Sequence, residues 1–350
     1  MRLSGAIDID GTEKLALTTR VRRQVGEIQA LASDWGELCR ECPQATPFQS
    51  PEWLLSWIEV FRPAPAAVVE VRDEGRLVGL AHFLIYRRES QLVLAFAGGG
   101  VSDYLDVLAL PGRELEIVRA IRSTVEAEPD WTNLELTDIP PRSPLLAVAE
   151  FGSYIAAHDN SSVLPLPRTS EELLHRFSKR QRANLRNARS RLERAGGGSV
   201  ELAGSATLGE FLDDLFRLHK RRWSRAGKAG VLADERIRAF HVLAAPRLLA
   251  RGILRLYRLR VANRTVAVIY ALFQGATAYC YVQGFDPEFS SLSPGNLLLY
   301  SVIEEAMQAG IESFDFLRGL ESYKEHWRPE MRTTYRITLA RAEFALPKAA

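Results

Sequence analysis

Ser293-Pro294-Gly295-Asn296 stands between a β-rich run, Tyr279-Cys280-Tyr281-Val282-Gln283-Gly284-Phe285, and a helical stretch. A turn that delivers a strand into a helix leaves the first N–H groups of the helix unpaired at its positive end. That is an anion site, suited to a phosphate or pyrophosphate. The same residues also suit an ordinary strand–helix–strand crossover that holds no ligand. Asp286 and Pro287 stop the strand. Leu298, Val302, Ile303 and Ala306 share one side of the helix, Gly310 ends it, and Phe314-Asp315-Phe316-Leu317 reads as the next strand.

A second charged feature opens at Thr169-Ser170-Glu171-Glu172, which reads as a capping box. The spacing predicts one helix from there through Arg194, with Leu174, Phe177, Leu185, Ala188 and Leu192 in a stripe. Lys179, Arg182, Arg186 and Arg189 cluster opposite the stripe, and Arg176, Arg180, Arg191 and Arg194 widen the basic arc. Glu193 is the only acid between Phe177 and Gly198. Like charges at i,i+4 repel by a few tenths of a kcal/mol per pair. Such a face is either simply solvated or turned toward an acidic partner: a phosphate, an anionic glycan or RNA.

The elements around these motifs repeat. Ala67–Val71 leads through Asp73-Glu74-Gly75 into Leu77–Leu84, and Leu254–Leu259 leads through Ala262-Asn263-Arg264 into Val266–Leu272. Both read as antiparallel hairpins. Each is followed by a third strand (Leu92–Phe96; Ala278–Phe285), a helix (Arg113–Glu126; Asn296–Ala309) and a fourth strand (Leu134–Leu136; Phe314–Phe316). Helical sequence precedes each hairpin, Pro51–Phe61 in one half and Leu208–Arg225 with Asp234–Ala250 in the other. This order predicts an α/β fold built on a mixed sheet, occurring twice. The expected linker is Asp138–Pro167, which holds Pro140, Pro141, Pro144, Pro165 and Pro167. The domain limits are therefore placed at 1–150 and 151–345.

With 350 residues the chain can bury two cores, and 47% hydrophobic with 25% charged residues is ordinary globular composition. A formal net charge of +2 neither requires nor excludes a nucleic-acid partner. Cys39, Cys42 and Cys280 are too few for a disulfide framework and fit a reducing, cytoplasmic setting. Cys39-Arg-Glu-Cys42 lacks a second ligand pair and reads as two ordinary cysteines on or near a helix. The N-terminal residues do not read as a signal peptide, and no stretch has the apolar length of a membrane span. No G-x-x-x-x-G-K-[ST], H-E-x-x-H or G-x-S-x-G sequence is present, and the six histidines show no metal-site spacing. Gly98-Gly99-Gly100 lacks the spacing of a dinucleotide fingerprint. What remains is direct group transfer, achieved by positioning two substrates and moving one proton in and one out. No metal is expected.

Several blocks together resemble a known family. Phe177–Gly196, Arg222-Trp223, Leu292–Leu298, Phe314–Gly319 and Tyr323–Trp327 are similar to the CelD-like acetyltransferases linked to cellulose or exopolysaccharide biosynthesis. Phe48–Trp53 and Gly100–Asp106 resemble that family's N-terminal blocks. The family lies in the FemAB-like branch of the GNAT superfamily, so the resemblance implies two tandem GNAT-like domains. It also implies acyl transfer from acetyl-CoA or another acyl-CoA to an amine or hydroxyl, on a small or cell-envelope acceptor. Mapped here, it places the pantetheine arm along Tyr279–Phe285, with Val282 and Gly284. The pyrophosphate falls on Ser293, Gly295, Asn296, Leu297 and Leu298. Pro294 removes one N–H donor from that cradle. FemAB relatives use aminoacyl-tRNA, which keeps tRNA as an alternative partner. A non-catalytic binding subunit of polysaccharide machinery is the alternative outside enzymes.

Four residues are the expected catalytic set. Asp315 alternates with Phe314 and Phe316, so a core-facing phenylalanine pair puts its carboxylate on the other side of the strand. There it could orient or deprotonate the acceptor; a surface aspartate is the other reading. Tyr323 is the expected acid for a departing thiolate, and Lys324 the expected clamp for a phosphate or the acyl oxygen. Asp103, beside the glycine turn of the first half, is the fourth, since the resemblance puts the acceptor between domains. No Cys or Ser has an evident activating base, so no covalent nucleophile is assigned.

Overall fold

A computed structural model describes residues 17–63, 66–148, 154–319 and 321–341. The chain forms two compact units. In chain order the first part runs β1 (Thr18–Arg22), α1 (Val25–Gln29), α2 (Ala32–Glu41), α3 (Pro51–Phe61), β2 (Ala66–Asp73), β3 (Arg76–Arg88), β4 (Gln91–Phe96), β5 (Leu108–Ala109), α4 (Glu114–Ala127), β6 (Asn133–Ile139) and α5 (Pro144–Val148). The chain passes from the first unit to the second within β7 (Tyr154–Pro165), after His158. There follow α6 (Ser170–Arg176), α7 (Lys179–Arg194), β8 (Ser199–Leu202), α8 (Leu208–Arg225), α9 (Glu235–Ala250), β9 (Leu254–Val261), β10 (Arg264–Gln274), β11 (Thr277–Phe285), α10 (Pro294–Gln308), β12 (Ser313–Arg318) and α11 (Ser322–Glu325). The last strand, β13 (Glu330–Ala340), belongs to the first unit from Thr334 onward.

Each unit is a mixed α/β structure. In the first, the strand order is β1-β2-β3-β4-β6-β13, antiparallel except for the parallel pair β4/β6. In the second it is β7-β12-β11-β10-β9-β8, antiparallel except for the parallel pair β11/β12. Both units therefore share the expected order of hairpin, antiparallel third strand, helix and parallel fourth strand. Both hairpins turn on two residues of positive φ, Glu74 (47°) with Gly75 (85°) and Ala262 (44°) with Asn263 (65°). That mirror-image turn matches the right-handed twist of paired strands.

The crossover helices bury one stripe each. In the first unit Ile117, Val118, Ile121 and Val125 of α4 pack on Val69, Val71, Phe83, Leu94 and Ile337. In the second, Leu298, Leu299, Val302, Ile303 and Ala306 of α10 pack on Ile269, Ala271, Cys280, Phe314 and Phe316. The i, i+3, i+4 spacing puts those residues on one side, and each large side chain so buried is worth about 1.5–3 kcal/mol.

Three expectations are corrected. The helix predicted from Thr169 through Arg194 breaks at Phe177, and Ser178 caps a second helix. The Ser178 hydroxyl accepts from Gln181 N (3.2 Å), and the Gln181 side chain accepts from Ser178 N (2.7 Å). Thr169 does cap, accepting from Glu172 N at 3.2 Å, but Glu172 reaches back to the N–H of Arg168 (3.2 Å). The expected linker holds a helix and a twelve-residue strand. Pro144 opens the helix and Pro165 closes the strand, both places where a missing N–H costs little. Finally, Tyr335–Ala340, assigned to the second half by sequence, pair antiparallel with Asn133–Ile139 of the first unit. The two Cys39-x-x-Cys42 thiols are free and buried at the end of α2, as expected of ordinary cysteines.

Candidate active site

The second unit opens where its two parallel strands part. β11 and β12 are in register at Thr277↔Ser313, Ala278↔Phe314 and Tyr279↔Asp315, and the ladder stops there although both strands continue. Past Asp315 the backbone of β12 turns out of line. Leu317 has a left-handed φ of 62°, and the register with β7 shifts between Asp315 and Arg318. Asp315 Oδ1 accepts the Leu317 N–H at 2.7 Å, which fixes this irregularity. A non-glycine residue at positive φ is strained, and the surrounding bonds hold it there.

A groove of about 800 Å³ follows from that divergence. Arg222, Trp223 and Lys228 line it from the end of α8 and the residues beyond; Gln283 and Phe285 come from β11. Ser293, Gly295 and Asn296 come from the start of α10, and Gly319, Glu321 and Tyr323 from the turn after β12. Arg222 lies over the Phe285 and Trp223 rings, with its guanidinium carbon 5.5 and 5.4 Å from their centroids. Two cations face one carboxylate, so the lining favours an anionic ligand.

The turn into α10 is bare. Ser293 has φ 54° and ψ 47°, and its side chain makes no cap hydrogen bond. Leu297 N donates to Ser293 O at 3.1 Å. The N–H groups of Gly295 and Asn296 precede it and have no partner within the helix, and Pro294 has none to offer. A β-carbon on Gly295 would touch only Phe285 Cδ1, at 3.7 Å, so the space above this turn is open. No acid lies in the first turn of α10, whereas Glu114 and Glu116 occupy that of α4, with Arg113 bonded to Glu116. An anion therefore fits the helix of the second unit and is repelled at the equivalent helix of the first.

The sequence-predicted residues divide. Ser293, Gly295 and Asn296 line the groove together with Tyr323. Leu297 lines a second cavity, and Leu298 is fully buried in the core, so its side chain cannot meet a ligand. Gly284 faces α8 instead of the groove: a β-carbon there would lie 2.6 Å from His219 N and 2.8 Å from Leu218 C. By alternation Val282 shares that side, and the wall consists of Gln283 and Phe285.

Lys324 is a structural clamp. It is 3% exposed, and its Nζ donates to the carbonyls of Leu317 (3.1 Å), Arg318 (2.7 Å) and Gly319 (3.1 Å), with Glu321 Oε2 at 2.9 Å. All three ammonium protons are used, so the expected phosphate or acyl-oxygen contact is corrected. Asp315 is as the strand alternation predicts, opposite the buried Phe314 and Phe316, but it is 1% exposed, does not line the groove and holds the Leu317 amide. Asp103 is buried in the first unit, and the other candidates all lie in the second.

Tyr323 alone of the catalytic set lines the groove. Burial pushes its phenol well above the ordinary value, with Cys280 and Glu321 adding to the rise and Arg222 and the Gln283 side chain opposing it. The hydroxyl therefore stays protonated and is available as a donor. Sequence reasoning missed Lys228, Gln283, Phe285 and Glu321 as site residues, and quoted Arg222-Trp223 without a role. The signal for Gln283 and Phe285 was present: period-two alternation puts them on the face opposite Gly284.

Residues 179–325 match the family described as Acetyltransferase (GNAT) domain. The chain thus carries a GNAT-type acetyltransferase domain. The groove, the bare helix start and Tyr323 all lie within it. A comparison with the curated proteins finds no match. Among solved structures, the chain is similar to the crystal structure of FemX, with a TM-score of 0.66 and 12% identity over 89% of this chain and 96% of that one. It is also similar to a conserved protein of unknown function from Bacteroides thetaiotaomicron VPI-5482, with a TM-score of 0.60 and 14% identity over 93% and 100%. These likenesses concern the fold, and they extend beyond the GNAT-type domain over most of the chain. Among the described residues no helix is long and apolar enough to cross a membrane, and no cluster of His, Cys, Asp or Glu is arranged to hold a metal ion.

Proposed function

We propose that the protein is an acyltransferase that takes an acetyl or other acyl group from acyl-CoA and delivers it to an amine or hydroxyl. The acceptor class we favour is a small or cell-envelope, exopolysaccharide-related molecule. Each unit is then a GNAT-like domain, and the second binds the donor. The observation that carries this reading is the groove at the parting of β11 and β12, which runs onto the bare, acid-free start of α10.

The residues fit such a donor. Gly295 and Asn296 present backbone N–H groups to a pyrophosphate, with Arg222 and Lys228 as counter-charges. The rim of β11 past Tyr279 has lost its neighbour, so its backbone can take an extended amide-bearing arm beside Gln283 and Phe285. Acyl-CoA supplies the activated thioester carbonyl. The acceptor nitrogen or oxygen bonds to that carbon as the carbon–sulfur bond breaks. Tyr323 gives its proton to the departing sulfur, and Glu321, the one carboxylate among the described residues that line the groove, takes the acceptor's proton. Asp315 and Lys324 act as positioning residues for the turn that carries both groups.

Thermal stabilisation of the full chain by acetyl-CoA tests the reading. At a concentration 100 times Kd the donor adds about 2.7 kcal/mol to apparent stability. No shift with acetyl-, propionyl- or longer acyl-CoA overturns it. Stabilisation by charged tRNA that falls steeply with salt moves the assignment to aminoacyl transfer.

A further inference from the structure

Beyond the Ser293–Asn296 turn lies a second cavity, about 340 Å³, between α7 and α10. Gln181, Asn184 and Arg191 line it from α7, Asn296 and Tyr300 from α10, and Trp327 from beyond α11. The α7 residues fall at i, i+3 and i+10, one side of the helix, and the small buried Ala188 between them keeps the space open. Among the described residues no carboxylate lines this cavity. Arg191 Nε is buried and has no hydrogen-bond partner among the described residues. Buried donors in folded proteins nearly always meet an acceptor, so this N–H is open to a ligand oxygen.

Four other arginines of the basic arc are differently employed. Arg182 donates to the carbonyls of Leu174 and Phe177, Arg176 to that of Pro165, and Arg194 to that of Ser190. Arg189 lies 3.7 Å from Glu304 and over the Tyr300 ring. Arg191 instead lines the cavity. Ser293 and Asn296 line both this cavity and the groove, so one extended ligand can occupy both sides of the turn.

The geometry points to a second phosphate subsite, in which Arg191, with Asn184 and Asn296, holds a phosphomonoester on the nucleotide end of the donor, while the aromatic wall at Trp327 takes the adjoining ring. This rests on the acyl-CoA reading of the groove. CoA carries a monoester on its ribose a short distance from the pyrophosphate, and a charged planar guanidinium suits such a group better than it suits a neutral hydroxyl. A free phosphorylated metabolite offers the same chemistry.

The test compares acetyl-CoA with 3′-dephospho-acetyl-CoA by calorimetric titration of the full chain, in wild type and Arg191→Gln, with glucose 6-phosphate as the free monoester. Wild type should bind acetyl-CoA at least about tenfold tighter than the dephospho form, a typical effect of one charge-assisted contact. Arg191→Gln should lose that preference and still bind the dephospho form as wild type does, which also reports an intact fold. Arg191-dependent binding of glucose 6-phosphate without a coenzyme preference keeps the subsite and assigns it to a separate phosphorylated ligand. Equal binding of the two coenzymes, with no Arg191-dependent monoester binding, overturns the subsite and leaves the acyl-CoA reading intact. Binding of neither coenzyme overturns the acyl-CoA reading, and the glucose 6-phosphate arm then decides the subsite by itself.

Discussion

The α-carbon of Gly284 lies so close to the backbone of His219 that a β-carbon would sit 2.6 Å from the His219 nitrogen. Helix α8 is thereby pressed onto β11, and the neighbouring Gln283 and Phe285 are pushed to the groove side. Gly284→Ala should destabilise the protein by about 1–3 kcal/mol, as overpacking against fixed backbone does. Chemical denaturation measures it. Gly295→Ala is the contrast, since its β-carbon meets nothing nearer than 3.7 Å. Stability should hold while Kd for acetyl-CoA rises; an unstable Gly295→Ala or a neutral Gly284→Ala would reverse the assignment of the two glycines.

Tyr323→Phe removes the proposed proton donor, and with it the hydroxyl's contact with the Gln283 side chain, while the ring keeps its edge contact with Phe316. We expect kcat to drop roughly 10²-fold, with KM for the donor nearly unchanged. A proportionate rise in KM instead would mean that Tyr323 binds the donor without transferring a proton.

Lys324→Met should behave as a folding mutation. It strips the donor from three carbonyls, those of Leu317, Arg318 and Gly319, and leaves Glu321 without its cation. Loss of a buried, multiply bonded charge costs about 3–5 kcal/mol. Equilibrium unfolding should show that loss, with turnover falling in step. A stable variant with reduced kcat alone would restore Lys324 to the chemistry.

Acid should act on the first unit through His82. Its ring is stacked on Trp35 with centroids 4.1 Å apart, and burial pushes its pKa down from 6.5 to about 3. Folded His82 therefore stays neutral while the unfolded chain takes up a proton below pH 6.5. Stability rises with pH across this window and is lost as pH falls from 6.5 toward 3, by about 1 kcal/mol per unit. His82→Phe should remove that component. Between pH 6 and pH 5 the gap between wild type and variant should shift by about 1 kcal/mol in the variant's favour, read from urea midpoints. A constant gap would show that the folded imidazole takes up its proton as readily as the unfolded chain does.

Much of the architecture was legible because it rests on local signals. Alternation, two-residue turns and one-sided helices gave both hairpins, both crossover helices and the repeated order. The turn at Ser293–Asn296 was legible for the same reason, since it is the start of a helix. What escaped depends on contacts remote in sequence. Nothing near Lys324 in the chain says that its ammonium curls back onto the carbonyl of Leu317, seven residues earlier. The break at Phe177–Ser178 was readable in principle, because Ser178-x-x-Gln181 is a capping pattern, but the unbroken apolar stripe masked it. The pairing of β13 with β6 spans about two hundred residues and has no local signature at all.

That last pairing bears on how the protein can be taken apart. Ile337 is buried in the first core at 4% exposure, between Leu136 and the α4 stripe, yet it is encoded after the whole GNAT-type domain. Cutting the chain at the passage between units would leave β6 as a raw sheet margin, with unpaired backbone and a hole where Ile337 belongs. Such margins recruit other strands, so an N-terminal fragment would be sticky and poorly behaved. A clean dissection has to splice the closing strand back onto the first unit, or permute the chain so that it begins within the second.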